Sequence, residues 1–219
     1  MTEVRENCAR VLDRIRNAAA KSGRDPSSVQ LIAVTKKVPV EKIREAVAAG
    51  IFHIGENRLQ EALPKREALS DLPLTWHFIG HLQTNKAKKA LEQFDWIHCV
   101  DRPELAEKLN QSAEKPVPVL IEVKLNDEPT KSGITVDQLR GFIGQFSRYD
   151  RLDLRGLTAI PPFFDSPEEV RPYFRRLRGL AEDFGLQELS MGMSHDFEVA
   201  IEEGATMVRV GTALFGERT

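Results

Sequence analysis

Two lysines, Lys36 and Lys37, stand side by side where the apolar run LIAV (31–34) stops. A partly desolvated amine loses some of its preference for the charged form, and the neutral amine condenses with an aldehyde to give a Schiff base. Far along the chain, SMGMSHD (190–196) sets Ser194 among glycine and methionines, and Gly211 and Thr212 follow the run TMVRV. A hydroxyl beside glycines where a helix begins offers O–H and free N–H donors to a dianion, with the helix dipole assisting. Arg209 sits between Val208 and Val210 in that last run, and a buried guanidinium is costly unless a partner satisfies it. Each group also has a plainer use. The lysines fit two solvated residues at a strand end, Ser194 a helix cap, Gly211 a turn, and Arg209 an internal ion pair with a carboxylate.

These groups meet only if the intervening elements bring the ends of the apolar runs to one face. Residues 3 to 21 carry Val4, Cys8, Val11, Leu12, Ile15, Ala18 and Ala19 at helical spacing, which predicts an amphipathic helix ended by Gly23 and Pro26. Short apolar runs then alternate with longer amphipathic stretches. The runs are 29–34, 51–55, 74–80, 95–100, 117–123, 154–160, 186–192 and 206–211, and a predicted helix follows each of the first seven. Strands alternating with helices imply βαβ units and a parallel sheet covered on both faces, which is why the runs are apolar throughout. Eight such units predict a single-domain (β/α)8 barrel over residues 1–219. An open doubly wound sheet is the other arrangement, and it lacks its G-x-G-x-x-G turn here. Pro172 marks a kink or a delayed start in the helix near 167–184, with Ser166 and Glu169 as a weak capping box.

In such barrels the loops after the strands build the active face, and phosphate groups settle after strands 7 and 8, where Ser194, Gly211 and Thr212 fall. Alternation puts Arg209 on the same side of its strand as Gly211. Only one of Lys36 and Lys37 can look inward, and parity leaves the choice open: Ile32 and Val34 share the first lysine's side, Leu31, Ala33 and Thr35 the second's. A lysine for an aldehyde, a cradle for a dianion and an arginine at one mouth describe a pocket for pyridoxal 5′-phosphate (PLP), with the phosphate on Ser194, Gly211 and Thr212 and the pyridine nitrogen accepting from Arg209. Because arginine keeps its proton, the ring nitrogen stays unprotonated and the cofactor is a poorer electron sink than one paired with a carboxylate.

The composition narrows the classes. The formal net charge is −2 with 29% charged residues of mixed sign, which lacks the basic footprint of a nucleic-acid binder. Two cysteines cannot build a disulfide framework, the N-terminus lacks an apolar signal region, and no stretch approaches the roughly 20 apolar residues of a membrane span. A cytoplasmic protein is expected, without nucleic-acid or membrane partners.

The segments IAVTKKVP, FHIGENRLQEA, WHFIGHLQTNKAK, TKSGI, LRGLTAIPP and SMGMSHDFEVAIEEGATMVRVGTALFGER closely resemble, in order along nearly the whole chain, the YggS/PROSC family of pyridoxal 5′-phosphate homeostasis proteins. The resemblance implies a barrel like the cofactor-binding domain of alanine racemase (fold type III), with PLP on the lysine of the AV-S/T-K motif, here Lys36. It carries the phosphate contacts to Ser194, Gly211 and Thr212, the ring-nitrogen contact to Arg209, and positions close to the cofactor to Asn57 and Met193. The chain departs from the family pattern at His195, often acidic there, and in the loop KLNDEPTKSG (124–133), so Lys131 and Ser132 receive no role.

Racemases of this fold class draw a tyrosine base from a second domain, and only eight residues follow Gly211 here. Tyr149 precedes the sixth strand, at the opposite barrel end, and Tyr173 lies on a predicted outer helix. Proton exchange on both faces of a substrate carbon needs a second base within hydrogen-bond distance. The expectation is therefore a PLP carrier with negligible catalytic turnover, binding PLP and other B6 vitamers and contacting PLP-dependent apoenzymes transiently; a monomer is expected separately, without support from this argument. The other readings are a small amino-acid racemase, a Schiff-base aldolase, and a metal site on His77, His81 and His195; His53 and His98 read as core residues with local hydrogen bonds. The basic stretch TNKAKKA (84–90) reads as a solvated helix face.

Overall fold

The computed structural model describes residues 2–126 and 132–217. Eight parallel strands close on themselves: β1 (Gln30–Val34), β2 (His53–Glu56), β3 (Thr75–Phe78), β4 (Trp96–Val100), β5 (Val117–Lys124), β7 (Leu152–Thr158), β8 (Glu188–Ser190) and β9 (Met207–Val210). Each pairs with its sequence neighbours, and β9 pairs back onto β1, with Ile32 opposite Arg209. This is the (β/α)8 barrel that the alternating pattern predicts. A two-residue strand, β6 (Ile134–Thr135), adds onto the end of β5 and escaped the sequence reading because two residues carry no periodicity.

Helices α2 (Val40–Ala48), α3 (Leu59–Ala68), α4 (Ala87–Gln93), α5 (Pro103–Ser112), α6 (Val136–Gln145), α7 (Arg171–Asp183) and α8 (Phe197–Glu202) form the outer layer. The main core lies between them and the sheet. A smaller cluster of Ile32, Leu120 and Met207, with Trp96 against it, takes up part of the inside of the barrel. The expected helix start near 167 is divided: a 3-10 turn covers Pro167–Val170, α7 begins at Arg171 with Pro172 in its first turn, and the Ser166 side chain forms no cap. The capping box is therefore absent, because the extra turn separates Ser166 from the helix proper.

The N-terminal helix α1 (Glu3–Lys21) spans the residues its apolar spacing predicts. It packs against α8 and the short terminal helix α9 (Thr212–Phe215). Asn7, buried on that face, donates from Nδ2 to the Leu214 carbonyl at 3.1 Å, and Arg14 holds the Glu198 carboxylate in two bonds of 2.6 and 2.9 Å. Arg24 donates to the carbonyls of Ile201 and Ala205. The first element of the chain thus fastens the last two, which carry the loops after β8 and β9.

Candidate functional site

Lys36 sits on a turn clamped from below. Thr35, fully buried, donates its N–H to the Gly55 carbonyl (3.1 Å) and its hydroxyl to Glu56 Oε1 (2.6 Å), while its carbonyl accepts from Val38 N–H (2.9 Å) and Lys65 Nζ (2.6 Å). Lys65 also pairs with Glu56 at 2.6 Å, a buried ion pair that compensates each partner's desolvation. Lys37 takes a left-handed conformation (φ 58°) and donates its N–H to the Glu61 carboxylate. Ile32 faces the barrel interior, and beyond the strand end, in the turn, Lys36 is half-buried while Lys37 is exposed. Among the described residues the Lys36 amine has no hydrogen-bond or ion-pair partner.

Arg209, on β9, is almost fully buried. Its Nη1 donates to Thr158 Oγ1 (2.8 Å), the Ser190 carbonyl (2.6 Å) and Ser190 Oγ (2.7 Å), and Nη2 donates to the Ala159 carbonyl (2.9 Å). All these acceptors are neutral. The internal ion pair open from the sequence does not form among the described residues: Glu122 and Asp196 act on the guanidinium only from a distance. Burial, opposed by those two carboxylates, moves its pKa down to about 10. Of its five N–H groups, Nε–H and one on Nη2 have no acceptor among the described residues. Burial raises both Glu122 and Asp196 above the usual carboxylate range, partly offset for Glu122 by the Ser132 hydroxyl at 2.9 Å and for Asp196 by the Met193 N–H at 2.6 Å.

The loops after β8 and β9 meet at Ser194. Its Oγ accepts from Gly211 N–H at 3.2 Å and Ala213 N–H at 3.3 Å, so it joins the two loops and leaves its own proton free to donate. Ser194 is not the cap of α8; that place belongs to Asp196. Thr212 is exposed beside it, and Met193 stands at the surface of the same loop. Gly192 allows the loop to leave β8: its φ is +88°, and a Cβ there would lie 2.5 Å from the Ala200 Cβ. β8 covers only Glu188–Ser190, shorter at both ends than the apolar run 186–192 predicts.

The fold thus gathers Lys36, Arg209, Ser194, Gly211, Thr212 and Met193 around the strand ends of β1, β8 and β9. Asn57, after β2, lines a neighbouring cavity of ≈ 260 Å³ with Arg58, His81, Lys86 and Lys89, and its buried Oδ1 has no partner. Lys131 lies outside the described residues. The three histidines weighed as a metal site are separated: His77 bonds to His53 and His98 inside the barrel, His81 lies beside Asp101, and His195 meets the Phe164 carbonyl. No cluster suited to a metal occurs among the described residues. Tyr149 packs on Phe146 at the closed end and Tyr173 on Phe164 outside the barrel. Sequence reasoning missed Thr158, Ser190 and Glu122. The available signal was a polar residue at the inward-facing end of an otherwise apolar strand.

Comparison with known proteins gives the family and the fold. The family described as "Alanine racemase, N-terminal domain" matches residues 7–219. A protein of Aquifex aeolicus (strain VF5), "Pyridoxal phosphate homeostasis protein", is 47% identical over 222 residues, covering 97% of each chain. The chain belongs to the alanine racemase N-terminal domain family, and within it to the pyridoxal phosphate homeostasis proteins. The solved structure of one member of this fold, PipY of Synechococcus elongatus PCC7942 with PLP bound, is 44% identical, with a TM-score of 0.83 over 93% of this chain and 100% of that one. Alanine racemase from Corynebacterium glutamicum shares the fold alone, at 19% identity and a TM-score of 0.70, and the homeostasis-family chain spans 61% of it.

Proposed function

We propose that the chain binds PLP at the mouth formed by β1, β8 and β9 and serves PLP homeostasis, as a single barrel domain, without catalytic turnover. The residues present fit that group. Ser194 and Thr212 offer hydroxyl donors suited to a phosphate, Gly211 lets the backbone come close to it while its N–H orients the Ser194 hydroxyl, and Arg209 holds spare N–H groups above neutral acceptors, suited to a ring nitrogen. Bound PLP supplies an aldehyde, which condenses with a primary amine and releases water. Lys36 is the amine in reach of the interior. Asn57 and Met193 complete the surroundings of the ligand.

The observation that carries the reading is Arg209: a buried guanidinium that, among the described residues, has no carboxylate partner and has donors left over, in a chain 44% identical to a protein solved with PLP bound. The absence of turnover rests on the two tyrosines, which pack at the closed end and on the outer face. We extend the reading to a cytoplasmic monomer that takes other B6 vitamers and passes PLP to apoenzymes. Among the described residues no helix is long and apolar enough to cross a membrane, and both cysteines are free and buried.

The test is borohydride fixation of PLP on the purified protein, followed by peptide mass spectrometry. The adduct is expected on Lys36, lost in Lys36→Ala and retained in Lys37→Ala; an adduct on Lys37, or none, overturns the assignment. Racemisation of alanine by the loaded protein at ordinary enzymatic rates overturns the carrier reading.

A further inference from the structure

Inside the barrel runs a file of polar side chains at positions that barrels of this type fill with branched apolar residues. From the closed end it reads Gln30 Nε2 to His53 Nε2 (2.8 Å), His53 Nδ1 to His77 Nε2 (3.0 Å), His77 Nδ1 to His98 Nε2 (3.0 Å), His98 Nδ1 to Ser190 Oγ (3.1 Å), and Ser190 Oγ to Arg209 Nη1 (2.7 Å). His77, His98 and Ser190 are shut off from solvent. Gln30 and His53 line a cavity of ≈ 450 Å³ at the closed end, opposite the mouth. The file therefore joins Arg209 to that cavity through five hydrogen bonds.

Burial keeps the histidines neutral: His53 is lowered, His77 is pushed down to about 3 with His53 adding to the effect, and His98 is lowered further by His77 and Arg209. A neutral imidazole donates from one nitrogen and accepts at the other, so the file must run one way. Arg209 decides which. Its guanidinium is always a donor, so Ser190 Oγ accepts from it and must send its own proton elsewhere; among the groups bonded to that oxygen, only His98 Nδ1 can accept. His98 then carries its proton on Nε2 and donates to His77 Nδ1, His77 donates from Nε2 to His53 Nδ1, and His53 donates from Nε2 to the Gln30 amide oxygen. That last bond needs only a half-turn of the amide, whose two ends are isosteric. The opposite direction leaves the Ser190 hydroxyl with two incoming N–H groups and no acceptor for its own proton.

We propose that this file is a hydrogen-bond relay of fixed polarity, with His53, His77 and His98 all in the Nε2–H form, and that Ser190 and His98 are positioning residues for Arg209. Holding Ser190 Oγ as an acceptor keeps Nη1 turned into the barrel, so the spare N–H groups stay with the ligand. The positioning half rests on the PLP reading above; the polarity half does not.

Two measurements test it. In ligand-free protein labelled with 15N-histidine, the ring nitrogen shifts at neutral pH are expected to report the Nε2–H form for all three histidines, and Ser190→Ala is expected to release His98 toward the Nδ1–H form. A proton on Nδ1 of His77 or His98 in the unaltered protein overturns the polarity. In PLP-loaded protein, Ser190→Ala and His98→Leu are expected to release PLP about tenfold faster, the loss of one hydrogen bond. His98→Asn, whose amide oxygen stands in for Nδ1, is expected to restore most of the difference. Unchanged release and an unchanged visible spectrum in folded Ser190→Ala overturn the positioning role. If the unaltered protein binds no PLP, the functional reading fails while the nitrogen shifts still decide the polarity.

Discussion

Single residues at the mouth divide into those chosen for their chemistry and those chosen for their backbone. Ser194 is legible in the sequence by type and place, but its use is different from a helix cap: its oxygen ties together the N–H groups of Gly211 and Ala213. Gly192 is a backbone choice. A methyl there meets Ala200 at 2.5 Å on a backbone whose φ of +88° an L side chain rarely adopts, whereas Gly179, in the middle of α7, has open space around it. We expect Gly192→Ala to cost about 2–4 kcal/mol in urea denaturation, while Gly179→Ala gains about 0.5–1 kcal/mol. Equal effects at the two sites would mean that the loop after β8 adapts to a side chain.

At the scale of elements, α1 is the unexpected partner of the site. Its apolar spacing is plain in the sequence, but not where it docks, because the same stripe fits any apolar surface. The docking is decided by Asn7, which reaches the Leu214 carbonyl, and by Arg14 on Glu198. The first bond is buried and the second half exposed, which sets their magnitudes apart. Asn7→Ala leaves a buried carbonyl unpaired and is expected to cost about 1–2 kcal/mol, with faster PLP release because α9 begins at Thr212. Arg14→Ala, on an exposed pair, is expected to cost less than about 1 kcal/mol. Comparable losses in thermal denaturation would contradict this ordering.

The molecule as a whole carries a row of histidines inside its barrel, and this shapes its response to acid. His77 is depressed to about 3 in the folded chain, against about 6.5 unfolded. Below pH 6.5 the unfolded chain takes up a proton that the folded chain refuses, so this contribution to stability is complete above pH 6.5 and is lost as pH falls toward 3, at ~1.4 kcal/mol per pH unit. His53 and His98, lowered in the same sense, add to it, while the raised Glu122 and Asp196 oppose it in the carboxylate range. Denaturant curves at pH 6.5 and pH 5 are therefore expected to show a smaller drop in His77→Gln than in the unaltered protein; an equal drop would remove His77 from the account. By itself the sequence determined the barrel, since eight apolar runs at regular spacing have few other ways to be buried on both faces, and it determined which residue types gather at the strand ends. The tertiary structure adds a difference between the two lysines on which parity along one strand is silent: beyond the end of β1, Lys36 is half-buried and Lys37 exposed in a left-handed conformation. It also decided what holds Arg209. The partners Thr158, Ala159 and Ser190 come from two other strands, and the three histidines come from three more. Hydrogen bonds between strands depend on register and on barrel closure, which the spacing of residues along a single chain does not record.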